Sequence, residues 1–240
     1  MDFKMKLLSF LFRSKKMPKV SEEYFENKKK HIVQSAYNVC LRKPVEMVTM
    51  TDVIGESGLS MGGIYRFYSD LDEIFADMVT GMRKDYNFIN KIEKDISESS
   101  DFPFEKITRT ICGILADVME EHLMDIQKIN FDLTVLAINE PKRAEKIIGS
   151  ARGRGNFEYL ATSLLPMLSK ACAQNALKPK GKPEDIMKFI SAAYVGIETD
   201  CILSACYGKA PMNTKCEPHA MFDTLATTII LLFGGNPDEY

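Results

Sequence analysis

Two very short helices separated by a single glycine turn are the tightest constraint in this chain. The run from Thr49 to Ile74, TMTDVIGESGLSMGGIYRFYSDLDEI, carries the punctuation of that arrangement. Thr49 followed three positions later by Asp52 makes a capping box, in which a hydroxyl and a carboxylate satisfy the orphan amides of a helix start. Val53, Ile54 and Ser57 then share one face of a helix of about two turns. Gly58 stands where the chain leaves that helix, because a residue without a Cβ accepts the left-handed conformation of a tight stop. Ser60 caps a second helix, in which Ile64 and Tyr68 face inward by the i, i+4 rule while Gly62, Gly63, Arg66 and Phe67 point elsewhere. Two glycines in so short a helix each cost about 1 kcal/mol relative to alanine, which suits close approach to a large partner surface better than internal packing. Ser69 and Asp72 form a second capping box, opening a helix expected to run to about Asp95. This is helix-turn-helix grammar, and it directs attention to DNA.

The segment from about Lys29 to Ile74 resembles the DNA-binding domain of the tetracycline-repressor (TetR) family of bacterial transcription regulators. The residues that carry the resemblance are Ile32 and Ala36, Thr49, Asp52-Val53-Ile54, Ser57-Gly58-Leu59-Ser60, Gly62, Ile64-Tyr65 and Tyr68. The chain departs from the family pattern at Pro44, Ile54, Gly63 and Leu71, where glycine, alanine, threonine and a phosphate-gripping lysine are usual. The resemblance implies an all-α fold, a second helical domain that binds a small-molecule effector, and a homodimer reading a near-palindromic double-stranded operator. It further implies that Thr49, Thr51, Ser60 and Tyr65, with Lys29, hold phosphates. Met61, Gly62, Gly63, Arg66 and Phe67 would face base edges or sugars, Arg66 reading guanine and Phe67 touching a thymine methyl.

Charge supports the same reading. The net charge of -2 conceals 11 basic against 4 acidic groups in the first 45 residues, an excess that a phosphate-binding surface requires. Residues 1–20 form a basic and apolar extension, too short in its apolar part for a secretory signal. Disorder or packing on the body, a DNA-contacting arm and contact with a membrane surface all fit it. The six cysteines show no CxxC spacing and no clustering with histidine, so they are expected to be reduced thiols of a cytoplasmic protein. No apolar run is expected to reach the roughly 18 residues of a membrane span, and no stable membrane association is expected.

The chain is expected to divide into the extension, a DNA-binding domain over 21–96 and a helical ligand-binding and dimerisation domain over 101–240. The first domain helix should run from Ser21 or Glu22 to Lys43, with His31 a surface histidine. SESSD at 97–101 marks a linker, and Pro103 fits the first turn of the next helix. Periodic helical segments follow at 104–123, 125–139, 142–150 (with a continuation through 156–177), 183–207 and 219–233. The glycines at 149, 153 and 155 form a helix break, since a phosphate loop would need a preceding strand and a following Lys-Ser/Thr. The segments 183–207 and 219–233 are apolar around much of their circumference, which suits a four-helix dimer interface with two helices from each subunit.

An effector cavity would draw on Met119, His122, Phe131, Phe157, Tyr159, Met167, Tyr194 and Glu198, where a buried carboxylate would favour a cationic ligand or an arginine. No cofactor or metal is expected, and His31, His122 and His219 form no catalytic or metal-binding motif, so catalysis is not expected. Two alternatives to a ligand-released repressor remain: a ligand-binding or scaffold protein whose helix-turn-helix has lost its grip on DNA, and, behind it, a helical-bundle enzyme.

Overall fold

A computed structural model describes residues 22–85, 104–155, 168–170, 172–173, 176–207 and 215–238. The expectations for the N-terminal extension, the end of the helix near Asp95, the 97–101 linker, Pro103, Phe157, Tyr159 and Met167 lie outside them. The chain builds α1 (Glu22–Cys40), a 3-10 turn (Val45–Met47), α2 (Met50–Ser57), α3 (Met61–Tyr65) and α4 (Leu71–Asp85). It continues with α5 (Phe104–Glu121), a π-turn (Leu123–Gln127), α6 (Lys128–Asn139), α7 (Pro141–Ser150), α8 (Pro183–Tyr207) and α9 (Pro218–Leu232).

Local chemistry sets most of these bounds. Both halves of the Thr49–Asp52 capping box form, and α2 ends on Gly58 at φ 64°, in the left-handed region. α1 stops at Cys40 rather than Lys43, because the amides of Arg42 and Lys43 both turn back to the Val39 carbonyl ahead of the extended Pro44. The cap of α4 falls one residue later than Ser69. Asp70 Oδ1 accepts from the Glu73 amide at 3.0 Å, and the Glu73 carboxylate reaches back to the Ser69 amide at 2.8 Å. Asp72 cannot serve as that reaching acid, since its carboxylate is bonded to Arg143 at 2.8 Å. The helix expected from residue 125 is entered through a π-turn. α7 ends at Ser150, where Ala151 is extended, and the glycine-containing segment after it breaks the helix as expected.

Packing does not follow chain order. The first core joins Ile32, Ala36 and Val39 of α1, Val53 of α2, Ile64 and Tyr68 around α3, and Ile74, Phe75 and Met78 of α4. It is completed by Ile126 of the π-turn, Ile129, Leu133 and Leu136 of α6, and Ala144 and Ile147 of α7. Polar contacts reinforce this union: Arg143 to Asp72 at 2.8 Å, Lys146 to Asp70 at 2.8 Å, and Asn139 to Glu46 at 3.0 Å. A second core unites α5, α8 and α9 through Ala116, Met119, Tyr194, Cys201, Phe222 and Ala226. A third holds Phe104, Ile186, Ile230 and Phe233 together.

Two expectations are corrected. Cys201 of α8 and Cys216 ahead of α9 are disulfide-bonded, with sulfurs 2.02 Å and Cα atoms 5.1 Å apart. The return of the chain from α8 to α9 creates this pair, and no short cysteine spacing announces it. The buried thiols of Cys40 and Cys112 are pushed up to about 12 by desolvation, which keeps them protonated. Within α8, Pro183–Cys206 is long and apolar enough to cross a membrane by length and composition. Scattered charges interrupt the apolar run without lowering its average hydropathy below that of a span. The helix packs against α9 and the π-turn.

Because Ile147 is fully buried in the first core, Ile147→Ala should destabilise the protein by about 2–5 kcal/mol. Urea denaturation followed by circular dichroism should show α1–α4 and α6–α7 unfolding in one transition; separate transitions for these two groups would refute a shared core.

Candidate nucleic-acid interface

α2 and α3 meet at the Gly58 turn, with their apolar residues inside and their start-of-helix hydroxyls used internally. Thr49 Oγ1 donates to Asp52 Oδ2 at 2.7 Å and accepts from the Asp52 amide, and Ser60 Oγ accepts from the Gly63 amide at 3.2 Å. The Asp52 carboxyl is pulled down to about 2, first by Lys43 at 2.7 Å and then by the Thr49 hydroxyl and amide. It therefore stays a charged brace at any physiological pH. His31 is exposed, as expected, and its Nε2 lies 3.0 Å from the Ser57 carbonyl, bracing the end of α2 against α1.

The outward face of α3 presents Met61, Gly62, Tyr65 and Arg66, with Met61 61% and Tyr65 48% exposed. Thr51, Thr49 and Ser60 are also exposed along the same two helices. The two glycines differ. A Cβ at Gly62 would meet nothing within 4 Å, so that position is open toward a partner. A Cβ at Gly63 would stand 3.2 Å from Ser60 Oγ, so this glycine also protects the cap that starts α3.

Lys29 and Phe67 do not join the face. The Phe67 ring lies 4.6 Å from Phe25, centroid to centroid, and packs on the first core. The Lys29 ammonium stands 5.0 Å from the Tyr68 ring centre and 3.8 Å from Asp77. Both are drawn inward where α1 runs beside α4: Phe25 of α1 meets the Phe67 ring, and Tyr68 with Asp77 of α4 meets the Lys29 ammonium. Lys29, Tyr68, Asp72, Asp77 and Lys146 line a cleft of about 340 Å³ between α1, α4 and α7, where ion pairs link lysines to aspartates. Arg42 is likewise held by Glu56 at 2.7 Å, whereas Lys30 and Arg66 make no ion pair among the described residues.

No protein-family model matches the sequence. YfiR, an HTH-type transcriptional regulator of Bacillus subtilis, is 26% identical over 177 residues, covering 72% of this chain and 78% of that protein. A structure from Mesorhizobium loti assigned to the TetR family superposes with a TM-score of 0.57 at 16% identity, over 88% of this chain and 98% of that one. FadR, the fatty acid degradation regulator of Bacillus halodurans, superposes with a TM-score of 0.59 at 13% identity, over 86% and 95%. The chain has the TetR-regulator fold.

In this TetR fold the residues expected to line an effector cavity are only partly gathered. Met119 and Tyr194 meet in the second core, where the Tyr194 ring stands 5.9 Å from Phe222. The Tyr194 hydroxyl lies 3.5 Å from Oε1 of the buried Gln127, and burial together with the charge of Glu198 pushes the phenol up. Glu198 lies one turn further along α8, 8% exposed, its carboxyl pushed up to about 7 by desolvation. His122 is half-buried, with Nδ1 3.2 Å from Asp125 beside the π-turn. Phe131 is on α6, which packs into the first core, away from this group. Among the described residues no three His, Cys, Asp or Glu converge as a metal site.

The clamp that ties α7 to α4 escaped sequence reading. Asp72 and Arg143 are 71 positions apart, and nothing in either local pattern signals the other.

Two tests follow from this geometry. Gly62→Ala should leave the fold intact, raise stability by up to about 1 kcal/mol and weaken DNA binding, whereas Gly63→Ala should lower stability; unchanged DNA affinity in Gly62→Ala would remove close approach as its role. Glu198 has a folded value near 7, above its ordinary 4.5, so wild-type stability should fall as pH rises from about 4.5 through 7. Denaturation midpoints of Glu198→Gln should lack this decline, which amounts to a few kcal/mol, on the order of 3, at its full extent.

Proposed function

We propose that this TetR-fold chain is a sequence-specific, homodimeric DNA-binding transcription regulator, a repressor released from its operator by a small molecule in the cytoplasm. The observation that carries the reading is the outward face of α3. Gly62 leaves open space, and Met61, Tyr65 and Arg66 project from a helix whose caps and inner contacts are satisfied within the protein. Thr51 and Tyr65 take phosphate contacts, and Arg66 reads a base edge. Thr49 and Ser60 chiefly hold the helix starts in place, adding backbone contacts at the DNA surface.

Dimerisation uses the bare side of α8. Phe189, Ala192, Val195 and Gly196 are exposed along one stripe, with Phe189 55% and Val195 47% exposed. Leu231 at 42% exposure continues the surface on α9. A second copy covers this face and places two recognition helices on successive half-sites, about one helical turn of DNA apart or more. Residues 21–96 constitute the DNA-reading part and residues 101–240 the effector and dimer part, with α6 and α7 of the latter packed into the core of the former.

Gel-shift titrations on DNA upstream of the protein's own gene test the proposal. Specific binding with a steep salt dependence is expected, and Arg66→Ala should weaken specific binding by about 1–3 kcal/mol while leaving non-specific binding nearly unchanged. Equal losses on both would sink base reading by Arg66. Failure to hold any segment would favour a helix-turn-helix scaffold without operator binding, a reading that the half-buried Leu71 at the start of α4 supports.

A further inference from the structure

Among the described residues, Glu198 is the only Asp, Glu, Lys or Arg in the buried interior. It stands on the flank of α8 among the buried Tyr194, Ile197, Cys201 and Ile202, opposite Phe189 and three residues on from the exposed Val195. Desolvation is the whole cause of its displaced proton affinity, with no cation or donor among the described residues to offset it. A carboxylate removed from water without a partner is an expensive group, and that cost is relieved either by protonation, toward which burial pushes Glu198, or by a positive charge seated beside it. A metal ion does not fit, because among the described residues no further carboxylate, histidine or thiol converges there. Tyr194, one turn away on α8 and electrostatically coupled to Glu198, instead links it to the second core, where the Tyr194 ring stands 5.9 Å from Phe222 and Met119 belongs to the same cluster. Ring faces and a polarisable sulfur suit an alkylated or delocalised cation.

We propose that Glu198 anchors the effector site of this protein and that the effector is an organic cation, an ammonium or amidinium group carried on an apolar body. This rests on the effector-released regulator reading above and names the ligand class. The same corner also has a short physical route to the DNA-binding helices. Tyr194 lies beside Gln127 of the π-turn, and Lys128, the next residue, opens α6 and donates to the Cys40 carbonyl at the end of α1 at 3.2 Å. A cation seated at Glu198 displaces Tyr194 from Gln127, and α6 carries that change into the core shared with α1–α4.

Three probes of one shape decide the class: 4-phenylbutylammonium, 4-phenylbutanol and 4-phenylbutyrate, titrated into the full chain by saturation-transfer NMR and thermal melting. The ammonium should bind about tenfold tighter than the alcohol or more, and the butyrate should be weakest. Glu198→Gln, checked for folding by circular dichroism, should abolish the preference for the cation, and Glu198→Asp should restore part of it. Equal binding of ammonium and alcohol, a preference that survives in Glu198→Gln, or no binding of the ammonium would overturn the proposal. Gel shifts on the same samples separate the two readings. DNA held tightly but indifferent to the bound ammonium overturns the effector role of Glu198 and leaves the regulator intact. Failure to hold DNA overturns the regulator, while the probe titrations still decide the cation site.

Discussion

A five-residue recognition helix cannot sustain itself in water, and everything this protein does at α3 depends on the core that holds it. Ile64 is fully buried and Tyr68 nearly so, in a core to which α1, α2, α4, α6 and α7 all contribute side chains. The DNA-facing helices and part of the following bundle are therefore one packed body. Any shift of α6 or α7 must be accommodated in the seat of α3, because close-packed interiors transmit displacement rather than absorb it. The ion pairs of Arg143 and Lys146 with Asp72 and Asp70 lock α7 to the start of α4, immediately after the recognition segment.

Electrostatics refine this picture. Among the described residues, part of the basic excess in the first part of the chain is paired inside the fold. Lys29 faces Asp77, Arg42 faces Glu56 and Lys43 faces Asp52. These pairs orient α1, α2 and α4, and each lysine or arginine so engaged is less available to phosphate. What remains facing outward along α3 is Met61, Gly62, Tyr65 and a single cation, Arg66, rather than a dense positive field. Glu198 presents the reverse situation in the second core. There a buried carboxyl has no ion-pair partner among the described residues, and desolvation favours its protonated form.

Local grammar was legible wherever a few consecutive residues settle the outcome. The Thr49–Asp52 box, the Gly58 stop, the inward pair Ile64 and Tyr68, and the bounds of α8 and α9 within a residue or so all follow from spacing, backbone sterics and periodicity. The fold class followed from the same signals. Misplaced expectations share a different cause. Phe67 and Lys29 looked outward on their own helices, but Phe25, Tyr68 and Asp77 meet them across the α1–α4 contact. Ser69 has the sequence of a cap, yet Asp72 is taken by Arg143 and the cap moves to Asp70.

Helix starts, helix stops and the inward stripe of each segment belong to the chain's own order of residues, because hydrogen-bond geometry and side-chain periodicity act over three or four positions. Which side chains stay free for DNA, which cysteines meet and which carboxylate is left unpaired were decided by the tertiary structure. Each of those outcomes depends on competition among groups brought together from distant positions, and packing alone chooses the winner.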